Sequence, residues 1–230
     1  VPTAQTPQPS PERLRISSLP VLSAPECALW ADQVLALRRH WTRRDPHLPF
    51  YTLGMAAYLD AVQDDPVLGA PPYHLRPLRQ ANNALINTHF APLLARCCQA
   101  LAGWSGQAVR CLDEQAALPG FHIHLPHPMF AQEVASRHVD LQYQKVFAGQ
   151  QTRPDQVLTL TLALSLPAGA GLRLWDGNES LYHPYQLGQM ALHSGLMPHQ
   201  AVLHPQGQDV PRIMLQCHAL QQDSAWGLYW

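Results

Sequence analysis

The stretch Arg137-His138-Val139-Asp140-Leu141-Gln142-Tyr143-Gln144 alternates its side chains as a β-strand does. His138 and Asp140, two apart, are therefore expected on one face. An imidazole beside a carboxylate supplies two donors of a two-histidine, one-carboxylate metal site. Such a set holds one face of an ion and leaves the opposite positions open, which suits non-haem Fe(II) that must also take oxygen and a co-substrate. The third donor has to come back from further along the chain. His199 fits: it follows the turn Gly195-Leu196-Met197-Pro198 and heads the apolar run Ala201-Val202-Leu203. Pro205-Gln206-Gly207-Gln208 then turns the chain into Pro211-Arg212-Ile213-Met214-Leu215-Gln216, with Arg212 opening a strand. A buried guanidinium needs an anion, and its fork matches a carboxylate in bidentate fashion.

Plainer roles stand beside these. His138 and Asp140 could be a hydrogen-bonded pair on a surface strand, and Arg212 could pair with a surface acid such as Asp209. His122 and His124 share a strand face, and with His127 they form a second cluster. They could be ligands of a cupin-type site, line a pocket mouth, or hold a co-substrate. His183, His193, His204 and His218 read as bystanders. Trp175 and Asp176 read as core and turn residues rather than substrate contacts, and the cysteines as small buried hydrophobes.

The elements that must position these residues change character along the chain. Residues 1–12 are polar and Pro-rich and are expected to be a disordered or extended arm. Arg13–Ile16 reads as a short strand. Ser23-Ala24-Pro25-Glu26 is a helix start, with Trp30, Val34, Leu37 and Trp41 recurring at helical spacing up to Arg43-Arg44. Met55–Val62 reads as a short helix. Leu78–Leu101 is the longest helical pattern, with Pro92 predicting a kink or two helices and Gly103 a stop. From about Ala108, eight β-rich runs follow: Val109–Leu112, Phe121–Leu125, His138–Val146, Val157–Leu166, Leu172–Trp175, Gln186–His193, Gln200–His204 and Arg212–His218. The expectation is a mainly β, α+β chain: a helical supporting lobe over 13–105, then a jelly-roll (double-stranded β-helix) core over 106–230, both within one compact unit.

Composition narrows the classes. Lys and Arg number 15 and Asp and Glu 16, a net charge of −1, which gives no basic footprint for nucleic acid. Charged residues are only 13% and prolines number 22, which suits tight loops in a β-rich fold. Five cysteines, an odd number without a CxxC pair, argue against a disulfide framework and for a reducing, cytoplasmic setting. No signal peptide or membrane-spanning run is visible. The chain starts without Met, so its natural N-terminus is expected to lie elsewhere.

The order His138-x-Asp140, then His199, then Arg212 resembles the Fe(II)/2-oxoglutarate-dependent oxygenases. In that family a jelly roll holds iron with an HxD pair and a distal His, and an Arg about a strand later grips the far carboxylate of 2-oxoglutarate. Gly171-Leu172-Arg173-Leu174-Trp175 is similar to the family's Gly-then-apolar middle strand, and the resemblance spans about Phe121 to Ala219. It departs at Met214, where many members carry Ser. The resemblance therefore leaves a second co-substrate contact to Tyr143 or to a residue of the Phe121–Leu125 strand such as His124. It implies Fe(II) and 2-oxoglutarate as cofactor and co-substrate, molecular oxygen, and a small-molecule or peptidyl substrate. The implied outcome is decarboxylation of 2-oxoglutarate to succinate with oxidation of an unactivated C–H bond. Halogenating members lack the carboxylate that Asp140 supplies, so the resemblance favours hydroxylation or desaturation. The alternative is a cupin-like metal- or ligand-binding protein without oxygenase turnover.

Overall fold

The structure is a computed structural model and describes residues 16–150, 152–203 and 209–230. The expected arm at 1–12, most of the expected strand at Arg13–Ile16, and His204 lie outside the described residues. Twelve strands and four α-helices follow in chain order: β1 (Ser17–Pro20), α1 (Ala24–Ala36), β2 (Thr42–Arg43), β3 (Phe50–Leu53), α2 (Ala57–Asp60), α3 (Arg76–Ser105), β4 (Ala108–Cys111), β5 (Gly120–His124), α4 (Tyr143–Val146), β6 (Val157–Ser165), β7 (Gly171–Asp176), β8 (Glu179–Pro184), β9 (Gln189–Ser194), β10 (His199–Val202), β11 (Arg212–Gln222) and β12 (Ala225–Tyr229).

Two sheets form a jelly roll. The large sheet runs β1-β9-β6-β11-β5-β3-β2, and the small one runs β10-β7-β8. The long strand β11 is the hub of the large sheet. One of its edges pairs with β6, while its other edge pairs first with β5, from Arg212 opposite His124, and then with β12. Alternation along these strands sends Ala163, Ala191 and Met214 of the large sheet against Leu172 and Leu174 of the small one, closing an inter-sheet core. The outer face of the large sheet is covered by α1 and α3. Cys27, Val34, Ile86, Phe90, Leu93, Cys97 and Leu101 are fully or almost fully buried there against Phe121, Leu160, Leu215 and Leu228. Each Leu, Ile or Phe so buried contributes about 1.5–3 kcal/mol before the entropy of ordering is counted.

Local chemistry explains where the helices start and stop. Ser23 caps α1 in a capping box with Glu26, whose carboxylate accepts the Ser23 backbone N–H at 2.7 Å. Of the kink or two helices that Pro92 led one to expect, the break into two does not occur: the helix runs unbroken over 76–105. Pro92 and Thr88 both lie on the exposed face, so the carbonyl that loses its intrahelical bond faces water while the apolar stripe on either side stays seated. The stop is Gly106, with φ 68° in the left-handed region, rather than Gly103.

Three further differences bear on the site. Strands β1, β2 and β3 come from the segment read as helical and join the large sheet at β9 and β5. They are too short for period-2 patterning to register. The run 138–146 is not a strand: the chain is extended only around His138–Asp140, Gln142 has αR backbone (φ −62°, ψ −24°), and α4 follows. The strands β8 and β12 were not among the eight expected runs, since Glu179–Pro184 is polar and mostly exposed and offers no alternation to read. No described helix is long and apolar enough to cross a membrane.

Candidate metal centre

His138 and His199 are held face to face by their own backbones. His138 N–H donates to His199 O at 2.9 Å and His199 N–H to His138 O at 2.8 Å, an isolated antiparallel bridge across the cavity mouth. Two residues on, Asp140 N–H donates to Gly195 O at 2.7 Å. The alternation expected of a strand therefore survives over three residues, long enough to aim both side chains inward. His199 opens β10 on the small sheet, opposite Leu174 of β7. Gly195 permits this approach, because a Cβ there would sit 2.6 Å from Thr159 Oγ1 and 3.0 Å from Asp140 Cβ.

The three side chains converge. His199 Nε2 lies 3.3 Å from Asp140 Oδ2 and His138 Nε2 lies 3.8 Å from Asp140 Oδ1. One donor atom from each lies within 4.8 Å of the others, and among the described residues no other group of His, Cys, Asp or Glu is so disposed. Both imidazoles are set for ligation by the far side of their rings. His138 Nδ1 is 2.9 Å from Ser136 O and His199 Nδ1 is 2.7 Å from Met197 O. A carbonyl only accepts, so Nδ1 carries a proton and Nε2 is the atom left to ligate; burial lowers the His199 pKa but Asp140 raises it overall, so a metal ion would displace an Nε2 proton there. Asp140 and His199 are buried, whereas the His138 side chain is 48% exposed at the mouth.

A hydrogen-bond chain backs the carboxylate. Thr159 donates its hydroxyl to Asp140 Oδ2, and its oxygen lies 3.2 Å from His218 Nδ1. Gln142 Nε2 sits 2.6 Å from His218 Nε2 and donates to Asp140 Oδ1 at 3.2 Å. The Thr159 proton is given to the carboxylate, so His218 Nδ1 donates to Thr159, and His218 Nε2 accepts from the amide of Gln142. Only a neutral His218 fits, and burial lowers its pKa accordingly. Burial alone would raise the Asp140 pKa, but the Thr159 hydroxyl and, whenever they are protonated, the facing imidazoles of His218 and His199 hold it well below the usual carboxylate range. Sequence reasoning set His218 and His193 aside as bystanders. Yet His218 braces the site, and the buried His193 ring lies 4.6 Å from that of His199, with burial pushing its pKa down to about 3. Period-2 spacing from Arg212 to His218 along β11 was the available signal, since it puts both on the inner face.

All of these residues line one cavity of about 460 Å³, and Arg212 lines it too. The Arg212 side chain is buried, its Cζ is 5.7 Å from the Tyr185 ring centroid, and its Nε has no hydrogen-bond partner. No carboxylate of the described residues pairs with it, Asp209 included, and burial lowers its pKa. An uncompensated buried guanidinium is costly, so this end of the cavity is built for an anion. His124 lines the cavity beside Arg212, its ring stacked on Phe50 at 4.5 Å. His122 is also on the wall, 2.9 Å from Tyr58 Oη, and burial takes its pKa down to about 3. The two rings are 6.3 Å apart and belong to no metal-ligand grouping. Tyr143 is not on the cavity wall: α4 turns it into a second apolar cluster with Ala57, Tyr73 and Tyr229.

No protein-family description and no curated protein sequence matches the chain. Solved structures do. An N-substituted L-amino acid dioxygenase from Burkholderia ambifaria AMMD overlays with a TM-score of 0.60 at 12% identity, covering 93% of this chain and 85% of that one. The same enzyme in complex with α-ketoglutarate (2-oxoglutarate) gives a TM-score of 0.58 at 11% identity, with the same coverage. The non-haem α-ketoglutarate-dependent epimerase SnoN from nogalamycin biosynthesis gives 0.53 at 15% identity over 90% of this chain and 80% of that one. At such identities the likeness is one of architecture: the chain has the jelly-roll fold of the non-haem Fe(II)/2-oxoglutarate oxygenases.

Proposed function

We propose that the protein is an Fe(II)- and 2-oxoglutarate-dependent oxygenase that hydroxylates an unactivated C–H bond of a small molecule or peptidyl residue. The balance is R–H + O₂ + 2-oxoglutarate → R–OH + succinate + CO₂. The observation that carries the reading is that His138, Asp140 and His199 converge on the same cavity as a buried, acid-free Arg212. The donor set fits iron: two imidazoles presenting Nε2 and one carboxylate, all on one side, with open space opposite. When bound, Fe(II) supplies the activation of oxygen that is coupled to decarboxylation of the 2-oxo acid. The chain's own residues do the rest. Nε2 of His138 and of His199 and a carboxylate oxygen of Asp140 hold the ion. The Arg212 fork takes the distal carboxylate of 2-oxoglutarate, flanked by the Tyr185 ring. His124, beside Arg212 on the same wall, supplies the second contact, since Tyr143 is not on the cavity wall. Leu172, Phe130 and Ala201 exclude water from the rest of the wall. A cavity of about 460 Å³ accommodates the co-substrate and a small substrate group, and not a bulky ligand fully enclosed.

The test is an anaerobic titration with Fe(II) and 2-oxoglutarate. A weak visible charge-transfer band is expected, followed on admitting air by 2-oxoglutarate consumption and succinate formation. His138→Ala and His199→Ala should each abolish metal uptake. Metal binding that survives His199→Ala but is lost in His122→Ala would replace this reading with the cupin-like one. Metal binding with no succinate under any substrate would leave only a binding protein.

A further inference from the structure

Four of the five cysteines, namely Cys97, Cys98, Cys111 and Cys217, lie where α3 crosses β4 and β11, on the far side of the large sheet from the cavity. Cys98 and Cys111 stand apart from the rest. Their sulfurs are 4.0 Å apart, both residues are partly exposed, and they are 13 positions apart in sequence. The topology puts them level. From Cys98 the helix climbs about seven residues at roughly 1.5 Å each, and after Gly106 the strand β4 returns at roughly 3.3 Å per residue, so about 10 Å up is matched by about 10 Å back. A sulfur separation of 4.0 Å places the two thiols in contact with each other. The remaining thiols, Cys27, Cys97 and Cys217, are buried, and burial raises the pKa of each.

We propose that Cys98 and Cys111 are a peroxide-reactive dithiol that closes into an intramolecular disulfide between α3 and β4, a modification site separate from the metal centre. The two sulfurs share one S–H contact in which either can donate, so either thiolate can be the one that attacks, and the step is written for Cys98. The Cys98 thiolate displaces hydroxide from hydrogen peroxide, giving a sulfenic acid and, with a proton, water. The Cys111 sulfur then attacks the Cys98 sulfur, forming the S–S bond and releasing a second water. Overall, two thiols are oxidised, one peroxide is reduced and two waters leave.

The experiment treats the whole protein with a few equivalents of hydrogen peroxide, then counts thiols in denaturant and maps peptides without reduction. The expected result is loss of two of the five thiols, a mass decrease of about 2 Da in the monomer, and one linked peptide pair joining Cys98 to Cys111. Dithiothreitol should restore all the thiols. Neither Cys111→Ser nor Cys98→Ser should form the linked pair, and dimedone should trap a sulfenic acid on the remaining cysteine of the pair in at least one of them. A linkage to any other cysteine, a disulfide between two chains, or oxygen added without a linked pair would each overturn the proposal, as would five intact thiols after treatment.

Discussion

Asp140 engages both carboxylate oxygens with the chain's own donors: Thr159 on Oδ2, and Gln142 on Oδ1 at 3.2 Å. Those bonds fix the rotamer before any ion arrives, which is how outer partners raise metal affinity. Thr159→Val keeps the shape and removes the hydroxyl, leaving Asp140 Oδ2 and His218 Nδ1 without their shared partner. Metal affinity should fall about 10–100-fold, read by competition with a chromophoric chelator, and an unchanged affinity would show the hydrogen-bond chain to be ornamental. Arg212 belongs at the same scale. Hydrogen bonds to a charged group contribute about 1.5–3 kcal/mol, so Arg212→Ala should weaken 2-oxoglutarate by about 10–100-fold. Mn(II) affinity measured without co-substrate should stay within about twofold. Co-substrate affinity equal to wild type would remove Arg212 from its assigned role.

At the scale of elements, α1 and α3 are joined through Glu26. Its carboxylate caps α1 at Ser23 and pairs with Arg96 of α3, which also reaches the Val21 carbonyl. The backbone and hydroxyl of Ser23, and then Arg96, lower the Glu26 pKa from 4.5 to about 2. A depressed folded-state value means that the stabilising effect is complete above the unfolded value of 4.5 and is lost as pH falls toward 2. Glu26→Gln should therefore lower the urea midpoint at pH 7, and the gap from wild type should close on acidification through that window. A gap that does not depend on pH would mean that packing, and not the charge, is what the substitution disturbs.

At the scale of the whole molecule, the two sheets and the 138–142 segment meet at the metal centre. Its donors come from a loop that belongs to neither sheet and from β10, while Thr159 of β6 and His218 of β11 brace it from the large sheet. An ion bound there ties the layers together and binds only the folded chain. At a hundredfold excess over Kd, linkage predicts about 2.7 kcal/mol of stabilisation. For a chain of this length that is a rise of about 5–10 °C in Tm. Mn(II) should give this shift in wild type and none in His199→Ala. A similar shift in both would place the ion elsewhere.

The amino-acid order by itself determined the candidate ligand types and their sequence, the strands that begin at Val157 and at Arg212, the helix start at Ser23-Ala24-Pro25-Glu26, and the change from helical to β patterning. Each of these is local: spacing, alternation and end chemistry act over a few residues. Tertiary structure decided what depends on distant backbone. His138 and Asp140 face inward because His199 and Gly195 hold their backbones, not because the run is a strand. Helix α3 passes through Pro92 because that face meets water. His218 and Thr159 join the site because β11 and β6 pair in a register set by the whole sheet, and Tyr143 leaves it because α4 turns away. A histidine's neighbours across strands are invisible in one dimension, so the three candidate ligands could be read from spacing while the groups that brace them could not.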